Sequence, residues 1–350
     1  MRTFLRRAAQ APPRFCVFRW DLDKTYLKTE FDRVRDLVRT AFEKATDKVA
    51  APGVATLIRS LRRVAEEQGR EVRVFFLTAS PPQIGRAIRE KLALDGIVHD
   101  GIVFKDQLQN LLRGRFANLR EQVGFKLTEL LASRGSLPEE AVEFLFGDDW
   151  ESDPLAYSLY ADIVSGRVEA AEVEEVLRLL GVDPELRSRV LDSMRTLPRR
   201  DAVRRIFIHL ERRTPPANLR SFGSRLVPTF NYFQTAVCLR CEGVMDDRGV
   251  AEVGRALVAE AGYDGRRLAN SLADLLRRGH VSRRDARRLA RSLVREGLFR
   301  RGELPEYLAG RWAALREPSF WKGWFRAAAP PPALPPIDYR SLAAELRAAR

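Results

Sequence analysis

The sequence predicts an α/β protein in which a doubly wound parallel sheet is followed by an all-helical domain. Three observations carry this reading. The runs FCVFRWD, VRVFFLT and VEFLFGD are almost unbroken in apolar, β-branched and aromatic residues, as strands buried on both faces are. Amphipathic stretches of helical period separate them, and strands alternating with helices imply βαβ units. From about Glu169 onward the strand signals fade and helical patterns follow one another, DAVRRIFIHLERR and FNYFQTAVCLRCEGVM among them.

In chain order, residues 1–14 read as a basic arm and FCVFRWD as the first strand, although Arg19 interrupts its apolar character. Residues 26–51 read as a helical insertion, with Phe31, Val34, Leu37, Val38, Ala41 and Phe42 at helical spacing. Pro52-Gly53 breaks that segment, VATLIRSLRRVAEEQG forms the next helix, and VRVFFLTAS follows as a strand. Then come helix PQIGRAIREKLALDG, the short apolar run GIVF, an irregular or helical stretch to Val123, helix FKLTELLASRG opened by Lys126, and strand VEFLFGDDW. The expected organisation is a doubly wound α/β domain over 1–165, a basic helical domain over 166–327 with TPPANLRSFGSRLVP as its longest break, and a proline-rich tail with a short terminal helix over 328–350.

Composition bounds the function. The 350 residues carry a formal net charge of +14, and 45% are hydrophobic, enough for a sizeable core. Lys and Arg balance Asp and Glu at 31 each over residues 1–198 but lead 30 to 16 over 199–350, so the excess lies in the second part. Such a surface favours an anionic partner, a phospholipid surface before nucleic acid. Cys16, Cys238 and Cys241 make no disulfide framework, the N-terminus lacks a secretory signal, and no run is long and apolar enough to span a membrane. A cytoplasmic protein with at most peripheral membrane contact is expected. Cys238-x-x-Cys241 reads as two ordinary thiols on one helix, and His209 as a core or boundary residue of an apolar stripe. Trp321, Trp324, Phe320 and Phe325 either dock the last helix on its own domain or anchor at a lipid interface.

The chemistry gathers at strand ends. In an open α/β sheet the ligand crevice lies at the carboxyl ends of the strands, so Asp21 is delivered to its floor with Asp23 on the loop above. One carboxylate so placed attacks phosphorus and the other protonates the leaving oxygen. Thr78 and Ser80 end the second long strand and offer hydroxyls to phosphate oxygens. Lys126 supplies a neutralising ammonium, with Lys105 as the alternative. Asp148, Asp149 and Asp153 close the set, and oxygen donors of this kind suit Mg²⁺, for which Asp21, the Asp23 carbonyl and Asp148 suffice.

The ordered set DLDKT, LTAS, Lys126 and GDDWESD resembles that of the haloacid dehalogenase superfamily. The resemblance implies Asp21 as the nucleophile that becomes an aspartyl phosphate, Asp23 as acid and base, Thr78 as a phosphate-binding hydroxyl and Lys126 as charge neutraliser. It also implies Thr25, Ser80 and Lys105 as substrate-binding residues, and Asp148 as a Mg²⁺ ligand with Asp149 or Asp153 in support. Within that superfamily residues 14–161 look most like the catalytic domain of phosphatidate phosphatases of the actin-patch protein type. The features are Asp-x-Asp-x-Thr, Pro52-Gly53-Val54, hydroxyl-x-Ser-Pro at Thr78 to Pro81, Lys105-Asp106, and Gly147-Asp148 followed by Asp153-Pro154 and Tyr157. The implied activity is hydrolysis of a phosphomonoester, phosphatidate or a related lipid phosphate. Alternatives are a phosphatase of nucleic-acid ends or small phosphometabolites, and a non-catalytic scaffold, against which the complete motif set argues.

Overall fold

The run Phe15–Asp21 is buried at every position and forms β1, flanked on both sides by parallel partners. The computed structural model describes residues 12–23, 25–27, 49–78, 82–104, 119–150, 152–305, 308 and 336–348. The helix expected over 26–51 therefore lies almost wholly outside the described residues, as do Ser80, Lys105, most of the stretch before Val123 and the aromatic cluster at 320–325. Along the chain β1 is followed by α1 (Val54–Glu67), β2 (Glu71–Thr78), α2 (Gly85–Leu94), β3 (Gly101–Phe104), α3 (Leu119–Gly135), β4 (Val142–Asp148), α4 (Asp153–Ser165), α5 (Ala170–Leu179) and α6 (Pro184–Thr196). Then come β5 (Val203–His209), β6 (Leu226–Thr229), α7 (Tyr232–Cys241), α8 (Asp247–Ala261), α9 (Gly265–Arg277), α10 (Arg283–Arg295) and the terminal α11 (Tyr339–Ala348).

The strands form one sheet in the order β3-β2-β1-β4-β5-β6, every pairing parallel. Chain order runs outward from β1 to β3, then restarts beside β1 at β4. That makes the gap between β1 and β4 the topological switch point, and its carboxyl end the place where a doubly wound sheet binds ligands.

Two stretches differ from the sequence reading. DAVRRIFIHLERR, expected as a helix, is β5, and the supposed break TPPANLRSFGSRLVP holds a 3-10 turn over Pro216–Phe222 and then β6. Val203, Ile206, Phe207 and Leu210 satisfy a helical stripe, but over so short a run a helix and a doubly buried strand share one pattern. Burial of Ile206, Phe207 and Ile208 in succession is the strand solution. His209, expected on that stripe, ends β5 opposite Asp148. Helix α3 begins at least seven residues before Lys126 instead of at it. Gly124, between Val123 and the expected helix, sits inside α3, where a Cβ would come within 2.5 Å of Val182.

The chain divides into two units. One holds Arg14–Ala51, Arg70–Thr229 and Pro336–Arg350. Its core joins Leu77, Leu145, Ile206 and Ile208 of the sheet to Leu127 and Leu131 of α3, Leu155 and Tyr160 of α4, and Val173 and Val176 of α5. The terminal helix returns to this unit, where Tyr339 donates its hydroxyl to Asp162 at 2.7 Å. The other unit holds Met1–Pro13, Pro52–Gly69 and Phe230–Pro335, and its described elements are α1 and α7 to α10. There α1 packs on α8 through Ser60 to Glu252 at 3.0 Å and Arg63 to Asp246 at 2.9 Å. Cys238, buried, and Cys241, half-buried, both lie on α7.

Candidate active site

Asp21 closes β1 in register with Leu77 of β2, and so lies on the sheet face that α3 and α4 cover. Lys126, in the middle of α3, reaches it with Nζ 2.8 Å from Asp21 Oδ1. The same ammonium pairs with Asp153, the first residue of α4. Asp153 in turn accepts the main-chain N–H of Asp148 at 3.2 Å, tying the end of β4 to the start of α4. This approach needs Gly147, because a Cβ there would collide with the Asp153 carboxylate.

Past β1 the chain turns at once, with Leu22 N–H bonded to Leu77 O at 2.9 Å and Leu27 N–H to Leu22 O at 2.8 Å. The turn buries Asp23 and Thr25 beside the strand end, and Thr78 donates its hydroxyl to Asp23 Oδ2 at 2.6 Å. Lys126 thus meets Asp21, the carboxylate its charge was expected to neutralise, while the contact of Thr78 with Asp23 had no counterpart in the sequence reading.

Carboxylate oxygens of Asp21, Asp148 and Asp153 lie within 4.8 Å of one another, and all three residues are buried. Among the described residues Lys126 is the ammonium paired within this set, with Asp21 and Asp153. Buried charge is costly unless balanced, and a compact set of hard oxygen donors with negative excess is what a small divalent cation takes. Tyr157, one turn along α4 from Asp153, has its ring centroid 6.0 Å from Lys126 Nζ. Burial, then the Asp153 charge, pushes its phenol well above the ordinary range, so it stays a neutral wall of the site.

Asp149 is placed elsewhere. Its carboxylate accepts the main-chain N–H groups of Arg212 at 2.9 Å and Thr214 at 3.1 Å, clamping the loop that leaves β5. Next in the chain stands Trp150, whose main-chain N–H donates to Asp148 Oδ1 at 2.7 Å while its exposed ring carries the Arg212 guanidinium 4.4 Å above it. Sequence reasoning did not single out this pair. Trp150 was visible as an aromatic inside GDDWESD, whereas Arg212 gave no signal while its segment read as helix.

Residues 20–173 match the family model described as the catalytic domain of phosphatidate phosphatase APP1. The resemblance read from the motifs holds for this part of the chain. The APP1-type region starts inside β1, ends inside α5, and contains Asp21, Asp23, Thr78, Lys126, Asp148 and Asp153. Strands β5 and β6 and helices α7 to α10 lie beyond it. No curated protein and no solved structure matches the chain. Among the described residues no helix is long and apolar enough to cross a membrane.

Proposed function

We propose that this protein is a Mg²⁺-dependent phosphatidate phosphatase that works through a phosphoryl-aspartate at Asp21. The observation that carries the reading is the convergence of the Asp21, Asp148 and Asp153 carboxylates at the carboxyl ends of β1 and β4, with Lys126 paired to Asp21 and Asp153. The APP1-type match supplies the substrate class. Phosphatidate is a bilayer lipid, so the encounter takes place at a membrane surface.

In the proposed reaction an Asp21 oxygen attacks phosphorus in line, and the bond from phosphorus to the glycerol oxygen breaks as the new bond forms. Asp23, in its carboxylic-acid form, gives its proton to that departing oxygen and diacylglycerol leaves. Water then attacks the phosphorus of the acyl phosphate. Asp23 takes the proton from the water, inorganic phosphate departs and Asp21 is restored. The Thr78 hydroxyl fixes the Asp23 carboxyl for both transfers. Lys126 lowers the repulsion between Asp21 and an approaching phosphate dianion. Asp21, Asp148 and Asp153 would hold Mg²⁺, which when bound supplies positive charge to the phosphoryl oxygens. The geometry of Asp149 favours Asp153 as the supporting acid.

The test is phosphate release from short-chain phosphatidate by the purified full chain. Chelation should stop it and Mg²⁺ restore it. Asp21→Asn, nearly isosteric but non-nucleophilic, should lower turnover by at least about a thousandfold with an unchanged circular dichroism spectrum. Turnover by Asp21→Asn near the parent rate, or full activity in excess chelator, would sink the proposal.

A further inference from the structure

The arginines of the helical unit fall into two groups. On most helices they are matched: Arg240 with Asp247 at 2.7 Å, Arg248 with Glu252 at 2.9 Å and Arg278 with Asp274 at 2.7 Å. Helix α10 is different. It carries six arginines and one aspartate in its 13 residues, and its buried side is Ala286, Leu289, Ala290 and Leu293. Arg284, Arg288, Arg291 and Arg295 are exposed, and none of them makes an ion pair among the described residues. Their spacing of four, three and four puts them in one row along the helix, about 16 Å long at 1.5 Å per residue. Like charges at such spacings repel and weaken a helix. The row therefore opposes the stability of the element that bears it unless an anion offsets it.

We infer that the Arg284, Arg288, Arg291 and Arg295 row of α10 is the surface by which the protein docks on an anionic lipid bilayer. Guanidinium groups bind phosphate through paired hydrogen bonds, and a straight row on one helix face meets a plane of lipid phosphates along its whole length. Nucleic acid offers phosphates too, but α10 carries no aromatic ring on which bases could stack. The choice of a bilayer over another polyanion rests on the phosphatidate reading above.

Co-sedimentation of the full chain with phosphatidylcholine vesicles, with and without phosphatidylglycerol, tests the docking apart from turnover, because phosphatidylglycerol is not a phosphomonoester. The protein should pellet only with the anionic vesicles and be released by salt. Replacing the four arginines together, Arg284→Gln, Arg288→Gln, Arg291→Gln and Arg295→Gln, should weaken binding roughly fivefold per charge at low ionic strength, several hundredfold in all. Lysine at the same positions should retain most of the binding. Hydrolysis of monomeric short-chain phosphatidate should stay within about twofold of the parent rate for both variants, since the row lies outside the proposed catalytic set. Equal binding by the glutamine variant and the parent, or no vesicle binding by the parent, overturns the inference. Duplex DNA binding that depends on the row and that anionic vesicles do not compete away overturns it in favour of nucleic acid. Loss of phosphatidate turnover with vesicle docking intact counts against the catalytic reading alone.

Discussion

At the scale of single residues, two aspartates four positions apart part company. Asp153 sits against Lys126 and the Asp148 N–H, whereas Asp149 holds two backbone N–H groups of the loop after β5. Asp153→Ala should therefore cost at least about a hundredfold in phosphate release and raise the Mg²⁺ concentration needed. Asp149→Ala should act through the fold instead. It leaves two N–H groups without their carboxylate, a loss of about 1–3 kcal/mol, while activity stays within about tenfold. Thermal unfolding and magnesium titration of the two variants separate these roles. Equal magnesium dependence in both would show that Asp149 belongs to the cation site after all.

At the scale of elements, Arg19 explains how β1 and β4 are joined beneath the site. It is buried in a strand otherwise apolar as far as Asp21, with Nε 2.5 Å from Glu143 Oε2 and Nη1 2.6 Å from Ser133 Oγ. Tyr160 of α4 donates to the other Glu143 oxygen at 2.8 Å. Burial alone would lower the Arg19 pKa, but the Glu143 carboxylate more than offsets it and leaves the guanidinium firmly charged. A buried pair of this kind adds little net stability compared with an apolar pair, yet breaking it strands a charge. Arg19→Leu should cost about 3–5 kcal/mol in denaturant unfolding, and Arg19→Leu with Glu143→Leu should recover most of that. A double variant no better than the single one would show that the pair is not what makes the position sensitive.

At the scale of the whole molecule, the chain leaves β1, contributes α1 to the helical unit and returns as β2, so the two units share covalent connections at several points. Within the helical unit the junction of α1 and α8 is charged. Burial alone would push Asp246 up, but hydrogen bonds from Arg63 and the Gly249 N–H prevail and hold its carboxyl below the ordinary value of 3.8. A carboxyl depressed in the folded state lends stability that is complete above its unfolded value and is lost as pH falls through the folded one. The helical unit should thus lose stability below about pH 4, and Arg63→Ala should be less stable near neutrality and lose less on acidification. Circular dichroism melts at pH 7 and pH 3 provide the comparison. A parent and variant with the same pH dependence would remove Asp246 from the account.

The sequence by itself determined the strands β1, β2 and β4 and the placing of Asp21, Thr78 and Asp148 at their carboxyl ends. Near-continuous apolar runs admit one buried conformation when they stop at turn residues, and the candidate site motifs stand within a few residues of those stops. Asp21 and Asp148 were legible for the same reason, whereas Lys126, read at a helix start, lies in the middle of α3. Only the tertiary structure decided the remainder. Whether VRRIFIH is helix or strand depends on β4 lying beside it, which no local pattern records. The place of Asp149 depends on a loop more than sixty residues away, and Arg19 is tolerable only because Glu143 stands on the neighbouring strand. Helix α1, between β1 and β2 in sequence, belongs with α8 because Ser60 and Arg63 find their partners there. In each case the deciding energy comes from a charge or hydrogen bond satisfied by a residue distant in sequence, and only the folded chain brings that partner into reach.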